Sequence, residues 1–179
     1  MADGRLFKIN SMDENLLKEK AARIKLLLTD SDGVLTDNGV YYSADGEKMK
    51  RFSIRDGMGA ERLRKLCNIE TGIITGETSP SVIKRAEKLA ITELHLGIKD
   101  KAGVLYEILE RKNLRADEVA FIGDDVNDLA IMALTGFTAC PSDAMIQVRR
   151  KVDYICENKG GDGAFREFAE FIISSQNKE

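Results

Sequence analysis

Short runs of apolar and β-branched residues recur along the chain, and segments with helical periodicity separate most of them. The runs of strand length are Ile24–Thr29, Gly72–Thr75, Glu93–Leu96, Val119–Ile122, Phe137–Ala139 and Tyr154–Cys156. The segments that space apolar residues three or four apart are Met58–Cys67, Ser79–Leu89 and Ala102–Leu109. Strands alternating with helices predict an α/β fold, a doubly wound parallel sheet with helices on both of its faces.

One stretch of the chain departs from this alternation. Val40–Phe52 has strand-like ends around the dipeptide Asp45-Gly46, which predicts a β-hairpin. We expect this hairpin either to overhang the strand ends or to pair with another subunit. Residues 1–20 mix charges throughout and are predicted to be an N-terminal arm, frayed or loosely helical. Residues 21–179 are predicted to form a single domain.

Composition narrows the class of protein. A chain of 179 residues with 43% hydrophobic and 32% charged residues is predicted to be one globular domain. Its net charge of −3 gives no basic surface for nucleic acid, and no apolar run approaches the roughly 20 residues that span a bilayer. The N-terminus lacks an apolar signal core. The three cysteines are far apart and predict a reducing, cytoplasmic environment, and the single histidine, His95, disfavours a catalytic triad or a histidine-ligated metal.

The most specific chemical signal lies in Leu26–Asp37, at the end of the first apolar run. Asp30 and Asp32 are two residues apart, and side chains at that spacing on a strand point the same way. Both are expected just beyond the C-terminal end of the strand, where open α/β sheets bind their ligands. Paired carboxylates at that position suit a hard cation with oxygen ligands, and Mg²⁺ is the commonest candidate.

Polar residues at three other predicted strand or helix ends fit this pair. Thr75 can hydrogen-bond a phosphoryl oxygen while the region of Gly76 presents backbone N–H groups, although a strand that ends in Thr-Gly is also ordinary turn chemistry. Lys101 stands at a helix start, where the helix dipole disfavours a cation unless an anion is bound, although a solvated lysine fits equally well. In Gly123–Asp128 three carboxylates are close enough to need a cation, and a helix N-cap explains one or two of them but not all.

In this order and spacing the motifs resemble those of the haloacid dehalogenase superfamily, whose members are mostly phosphatases that use an aspartyl-phosphate intermediate. The resemblance implies that Asp30 is the nucleophile and that Asp32 is the general acid/base. It also implies that Thr75 and Lys101 bind the phosphate. The residues that it assigns to a Mg²⁺ ion are Asp30, Asp32 and Asp124, with Asp125 and Asp128 supporting the metal and Lys101.

The charges that phosphoryl transfer requires agree with these roles. Asp30 must stay ionised to attack phosphorus, and Mg²⁺ together with Lys101 keeps it so. Asp32 must hold a proton for the leaving oxygen and then take one from water, so its side chain should lean away from the metal and leave only its backbone carbonyl as a ligand. We therefore expect Asp30→Asn to abolish turnover and to leave the fold intact.

Four segments narrow the resemblance to the capless branch of the superfamily, which includes the phosphatases of 3-deoxy-D-manno-octulosonate 8-phosphate and of nine-carbon ulosonate 9-phosphates. These segments are Asp30–Asp37, the hairpin, Phe52–Gly59 and Gly160–Glu167. Members of this branch lack a cap domain, and this chain has no cap-sized insertion. The resemblance implies a homotetramer in which the hairpins assemble a central barrel and a neighbouring subunit closes the site.

The same resemblance implies a set of contacts with a sugar acid phosphate. Arg55, Asp56 and Gly57 would contact the sugar acid, and Arg85 would meet its carboxylate or the facing subunit. Arg166 lies in a turn that would reach over the site. Arg55, Asp56 and Gly57 could instead cap the following helix. A position on a solvated helix face explains Arg85 equally well.

The chain departs from the octulosonate enzymes at one position. They usually carry Arg after the Thr-Gly of the second motif, where this chain has Glu77 after Gly76. Glu77 together with Lys88 is similar to the nine-carbon phosphatases, whereas the segment Arg55–Gly57 is similar to the octulosonate type. The expected substrate is octulosonate 8-phosphate, and the alternative is a nine-carbon ulosonate 9-phosphate of the KDN or N-acetylneuraminate type. The first product would point to lipopolysaccharide synthesis and the second to sialic-acid-type glycans.

Two interpretations outside this class also fit parts of the pattern. A receiver-type signalling domain places acids, Thr and Lys at strand ends, but its phospho-acceptor lies on a later strand than the acidic pair. Here Asp30 opens the sheet, and Asp32 has no receiver counterpart. The other interpretation is an assembly module without turnover, which the complete set of matched catalytic positions disfavours.

Overall fold

The computed structural model describes residues 14–176, in which strands and helices alternate. The strands are β1 (Leu26–Thr29), β2 (Thr36–Ser43), β3 (Gly46–Phe52), β4 (Glu70–Ile74), β5 (Glu93–His95), β6 (Val119–Ile122), β7 (Phe137–Cys140) and β8 (Tyr154–Ile155). The α-helices are α1 (Glu14–Ala22), α2 (Ile54–Arg62), α3 (Pro80–Leu89), α4 (Lys101–Lys112), α5 (Leu129–Met132), α6 (Ile146–Arg149) and α7 (Ala164–Ser175).

Six strands form a parallel sheet in the order β5-β4-β1-β6-β7-β8. The predicted α/β fold is confirmed, because each of the six apolar runs forms one strand of this sheet. The order runs outward from β1 in both directions, and open sheets bind ligands at the carboxyl ends of the strands where the order reverses. Asp30, Thr75 and Asp124 follow the three central strands at that edge.

The sheet is buried on both faces. Leu27 of β1 lies in a cluster with α1, α2, α3 and α7, whereas Leu26 and Leu28 lie in the opposite cluster with α4, α5 and α6. Successive side chains of a strand point to opposite faces, so β1 contributes to both clusters. Full burial of a leucine side chain stabilises the fold by about 1.5–3 kcal/mol. Strand β1, with all four residues buried, therefore fixes the backbone that leads into Asp30.

The predicted hairpin is present as the antiparallel pair β2 and β3, which is joined by a turn at Ala44 and Asp45. It begins at Thr36, four residues earlier than predicted. The register shifts twice, once between Thr36 and Val40 and once between Tyr41 and Tyr42. The hairpin is a separate two-stranded sheet, and the described residues contain no cap domain.

Several helices differ from the sequence-based expectation, among them the short helices α5 and α6, which were not predicted. Helix α2 begins at Ile54 rather than Met58, because the Ser53 hydroxyl accepts a hydrogen bond from the N–H of Arg55 and caps the helix, and it continues into a π-helical turn, Leu63–Cys67. Helix α7 was not predicted, and its Phe165 and Phe168 are buried in the core.

The N-terminal arm is described only from Glu14. Residues 14–20 belong to α1, whose Leu17 and Ala21 are buried against the core that α7 shares. Residues 1–13 of the predicted arm lie outside the described residues, and the division at residue 20 stays a prediction. Within residues 14–176, no helix combines the length and the apolar character needed to cross a membrane.

Candidate active site

The carboxyl ends of β1, β4 and β6 bring the predicted catalytic residues to one edge of the sheet. The N–H of Asp30 donates to the carbonyl of Ile122 at 3.0 Å, which extends the pairing of β1 and β6 by one residue. The N–H of Thr75 donates in the same way to the carbonyl of His95 at 3.0 Å. The sheet's own hydrogen bonds therefore fix the backbone at both positions.

Three buried carboxylates converge at this edge. Asp30, Asp124 and Asp128 each offer an oxygen, and these oxygens all lie within 4.8 Å of one another. The ammonium of Lys101 lies 2.9 Å from Asp30 and 2.7 Å from Asp128. Three carboxylates and one ammonium leave negative charge in a buried space, which hard divalent cations with oxygen ligands neutralise. This cluster is therefore a site for a divalent metal ion.

Burial shifts the pKa of the acids in this cluster. Desolvation, with the neighbouring charge of Asp128, raises the pKa of Asp30 to about 6, although Lys101 opposes the shift. Desolvation and the charges of Asp30, Asp128 and Asp125 raise the pKa of Asp124 to about 7. Burial alone would lower the pKa of Lys101, but the two carboxylates outweigh it and raise that pKa. The lysine is therefore held in its charged form.

The carboxylates of Asp128 and Asp125 are hydrogen-bonded within the chain and hold the loop that follows β6. One oxygen of Asp128 accepts from Lys101, and the other accepts from the backbone N–H of Asp124 at 3.0 Å and of Asp125 at 3.3 Å. The Asp125 carboxylate accepts from the N–H of Val126 and begins a short 3₁₀ turn. Asp30 and Asp124 are consequently the members of the cluster with oxygens available to a metal.

A glycine makes room for the Asp124 carboxylate. Gly33 has a φ of +77°, and a Cβ at this position would lie 2.0 Å from an oxygen of Asp124. The side-chain amide of Asn38 donates to the same oxygen at 3.3 Å. The loop after β1 thus contributes to the metal site in two ways. Gly33 leaves space for the Asp124 carboxylate, and the Asn38 amide holds one of its oxygens. The sequence motifs had indicated neither role.

The Asp32 carboxylate faces a different set of groups. Its two oxygens accept from the hydroxyl of Thr36 at 3.1 Å and from the ammonium of Lys50 at 2.6 Å. Asp32 is not among the three clustered carboxylates found in residues 14–176. The motif-based assignment missed Lys50, which comes from β3 of the hairpin and whose side chain is only 1% exposed.

Thr75 directly follows β4 and begins a tight turn. The residue is buried, and its hydroxyl oxygen accepts the N–H of Glu77 at 3.2 Å. The carbonyl of Glu77 accepts the N–H of Gly97 at 3.1 Å. Gly76 and the Glu77 side chain remain exposed beside this turn.

The predicted substrate contacts fall into two groups. Arg55 and Lys88 are exposed at the start of α2 and near the end of α3. Asp56 is buried, and its oxygens accept the backbone N–H groups of Gly163 at 3.3 Å and Arg166 at 2.9 Å. The Asp56 carboxylate therefore caps the start of α7, and burial raises its pKa.

Two arginines predicted to contact the substrate are engaged within the chain. Arg85 donates to the carbonyl of Ser53 at 2.6 Å, and a Cβ on Gly57 would lie 2.5 Å from the Arg85 guanidinium. The absence of a side chain at Gly57 thus lets Arg85 cross α2. The Nε of Arg166 lies 2.7 Å from Glu170.

Comparisons with known proteins agree with this geometry. Residues 66–168 match the haloacid dehalogenase-like hydrolase family. The 3-deoxy-D-manno-octulosonate 8-phosphate phosphatase of Haemophilus influenzae is 36% identical over 162 residues, which cover 90% of this chain and 89% of that protein. The cobalt-bound structure of the Haemophilus influenzae phosphatase superposes with a TM-score of 0.86 at 36% identity, covering 89% of this chain and 92% of that one.

A second relative is the octulosonate 8-phosphate phosphatase of Moraxella catarrhalis, whose crystal structure contains a magnesium ion, a phosphate ion and a KDO molecule. It superposes with a TM-score of 0.88 at 36% identity, covering 91% of this chain and 93% of that one. With the parallel sheet, the uncapped edge and the acidic cluster, these matches place the chain in a known group. It belongs to the haloacid dehalogenase-like hydrolases, in the capless phosphatase branch.

Proposed function

We propose that this protein is a phosphoric monoester hydrolase that removes the phosphate of 3-deoxy-D-manno-octulosonate 8-phosphate through an aspartyl-phosphate intermediate. The observation that carries the proposal is the separation of the two carboxylates Asp30 and Asp32. Asp30 lies with Lys101 in the acidic cluster, whereas Asp32 is held by Thr36 and Lys50. Two nearby carboxylates in different surroundings suit a nucleophile and an acid/base.

The acidic cluster fits a Mg²⁺ ion. Asp30 and Asp124 would ligate it through their carboxylates, and Asp32 through its backbone carbonyl. When bound, the ion would supply positive charge that neutralises the acids and the phosphoryl oxygens. Lys101 and the hydroxyl of Thr75 would bind the remaining phosphoryl oxygens.

The reaction follows from the positions of these side chains. A carboxylate oxygen of Asp30 forms a bond to phosphorus while the bond to the ester oxygen breaks, and the Asp32 carboxyl gives its proton to that oxygen. A water molecule then attacks phosphorus and passes a proton to Asp32. The bond between phosphorus and Asp30 breaks, which releases inorganic phosphate and restores both side chains.

The exposed rim beside the site would recognise the sugar acid. Arg55 supplies a cation for the carboxylate of the substrate, and the turn at Gly76 and Glu77 supplies backbone and carboxylate groups for its hydroxyls. Glu77 and Lys88 favour the alternative substrate, a nine-carbon ulosonate 9-phosphate, because a carboxylate replaces an arginine beside the substrate. The eight-carbon product would serve lipopolysaccharide synthesis in the cytoplasm.

The exposed apolar side chains of the hairpin support the proposed homotetramer. Val40, Tyr41, Tyr42 and Met49 are exposed on β2 and β3, which is an unusual density of large apolar side chains for a monomer surface. Burial of this surface between subunits would also cover the uncapped edge of the active site. Sedimentation of the purified protein measures this state.

Phosphate release with Mg²⁺ tests the proposed function. We expect kcat/KM for the octulosonate 8-phosphate to exceed that for nine-carbon ulosonate 9-phosphates by at least about 10-fold, equivalent to about 1.4 kcal/mol. The opposite preference would make Glu77 and Lys88 the specificity pair and select the alternative. Release from neither substrate would contradict the proposal.

A further inference from the structure

The hairpin places a buried lysine on the Asp32 carboxylate. The ammonium of Lys50 lies 2.6 Å from one oxygen of Asp32, and its side chain is 1% exposed. The other oxygen of Asp32 accepts the hydroxyl of Thr36 at 3.1 Å. Both oxygens of Asp32 are thereby held, one by the loop after β1 and one by β3.

A bulge in the hairpin explains how β3 reaches the site with two charged groups. Tyr41 pairs with Met49 and Tyr42 pairs with Glu47, so Lys48 is an extra residue on β3. Residues three apart on a regular strand face opposite sides, whereas a bulge redirects the side chains around it. Glu47 and Lys50 consequently face the same side, with 3.8 Å between their charged groups.

Glu47 in turn connects Lys50 to the loop that follows Thr75. The Ser79 hydroxyl donates to the Glu47 carboxylate, and Ser79 is buried immediately before α3. The ammonium of Lys50 therefore lies between the carboxylates of Asp32 and Glu47, with its charge satisfied on both sides. A lysine buried this completely is stable only with such partners.

We propose that Lys50 is a positioning residue for the reaction, which holds the Asp32 carboxyl in the orientation needed to protonate the leaving oxygen, and that Glu47 and Ser79 hold Lys50. This inference rests on the proposed function, because it assigns Asp32 to proton transfer. As the phosphorus–oxygen bond of the ester breaks and the bond to Asp30 forms, the proton moves from Asp32 to the departing oxygen. Lys50 neither gives nor takes a proton in this step.

Leaving groups of different acidity separate this role from a general structural one. An alkoxide or a phenolate that is a strong base needs the proton from Asp32, whereas p-nitrophenolate is stable without it. A misplaced Asp32 therefore slows the first step for the sugar acid phosphate and for phenyl phosphate much more than for p-nitrophenyl phosphate. A distorted fold or a lost metal would slow all of them alike.

The experiment compares Lys50→Met with Lys50→Arg, Asp32→Asn and the control Lys48→Met in the Mg²⁺-loaded protein. Lys48 is on the same strand, and its side chain is half exposed and pairs with Asp45 at 2.9 Å near the tip of the hairpin. For Lys50→Met we expect kcat on the sugar acid phosphate and on phenyl phosphate to fall at least about 30-fold, within the range that proton transfer contributes, with KM nearly unchanged. The first turnover of p-nitrophenyl phosphate should stay within about 3-fold of wild type, as in Asp32→Asn. Lys50→Arg should recover part of the loss, and Lys48→Met should match wild type.

An equal loss on phenyl and p-nitrophenyl phosphate, or no loss on either, would overturn the role of Lys50. If Lys50→Met does not fold, Lys50→Arg and Glu47→Gln give the same comparison, with a smaller selective loss expected for each. If wild type hydrolyses the aryl phosphates but neither sugar acid phosphate, the proposed substrate fails while the leaving-group comparison still tests Lys50.

Discussion

The ammonium of Lys101 lies 2.9 Å from a carboxylate oxygen of Asp30, and both side chains are buried. The same ammonium is hydrogen-bonded to Asp128, so the lysine cannot leave Asp30 without breaking a second buried pair. Lys101 begins α4 and Asp30 directly follows β1, so this contact also joins a helix on one face of the sheet to a central strand.

Replacement of Lys101 by Met should impair both activity and stability. Loss of a donor to the phosphoryl oxygens is expected to lower kcat about 10²- to 10³-fold. The buried acids left without their partner should lower the metal-free unfolding free energy by about 3 kcal/mol. Phosphate release and urea unfolding measure these effects. Lys101→Arg keeps the charge and should lose less activity and less stability than Lys101→Met. Wild-type activity in Lys101→Met would show that Lys101 does not bind the phosphate.

Asp30→Asn should abolish turnover and keep the fold. The amide cannot attack phosphorus, and it removes one of the charges that burial disfavours, so the melting temperature should stay within about 5 °C of wild type. Phosphate release and thermal denaturation test the two parts separately. Substantial residual activity would show that Asp30 is not the nucleophile.

Gly33→Ala should damage the metal site, and Gly46→Ala provides a matched control. Both glycines have positive φ, but a Cβ on Gly33 would clash with Asp124, whereas a Cβ on Gly46 meets nothing within 4 Å. Gly46→Ala should cost about 1–2 kcal/mol of stability from backbone strain alone. Gly33→Ala should cost about 1–3 kcal/mol more.

Divalent-ion binding distinguishes the two glycine variants as well. Because the clash displaces an Asp124 oxygen, Gly33→Ala is expected to weaken Mg²⁺ binding about 10- to 100-fold, and Gly46→Ala to leave it unchanged. Isothermal titration calorimetry measures the Mg²⁺ affinity of both variants. Equal Mg²⁺ affinity in the two variants would contradict the role given to the space at Gly33.

The stabilisation of the protein by Mg²⁺ should increase with pH. In the metal-free protein, burial and the neighbouring carboxylates raise the pKa of Asp124 from its ordinary value of 3.8 to about 7, so the folded state binds more protons and loses stability as pH rises between these two values. Metal binding needs the ionised carboxylate, so Mg²⁺ should raise the melting temperature little near pH 5.5 and strongly near pH 8. In Asp124→Asn, Mg²⁺ should raise the melting temperature little at either pH. If the rise in wild type did not change with pH, Asp124 would not be the Mg²⁺ ligand that is proposed.

Asp56→Ala should lower stability more than it affects substrate binding. Its carboxylate accepts two backbone N–H groups at the start of α7, and their loss should lower the unfolding free energy by about 1–3 kcal/mol. Because both hydrogen bonds lie within the chain, KM should change less than about 2-fold. A raised KM with unchanged stability would assign Asp56 to the substrate.

The sheet could be predicted because its signals are local. Each strand is a short apolar run, and the acids at the ends of β1 and β6 stand in motifs with fixed spacing. Helix α7 could also have been predicted, since Phe165, Phe168 and Ile172 repeat at helical spacing. The start of α2 was predicted too late because its first turn, which carries Asp56 and Gly57, has no apolar periodicity.

The residues around Asp32 could not be predicted in the same way. Lys50 lies between Met49 and Arg51 in a strand without a buried residue, and a lysine in such a strand normally faces water. Its contact with Asp32 depends on a bulge and on the path of the loop after β1, which are properties of the folded backbone. Asp56 is similar, because its partners at Gly163 and Arg166 lie more than 100 residues away along the chain.

The two faces of the bulged hairpin should differ in how well they tolerate amino-acid substitution. Lys50 and Glu47 face Asp32 and Ser79 within the chain, whereas Tyr41 and Met49 are exposed. During evolution the exposed side chains can adapt to a new neighbour, but under the proposed mechanism the inner ones are constrained by the reaction. A chimera that exchanges the whole hairpin between relatives would therefore transfer part of the active site together with the surface.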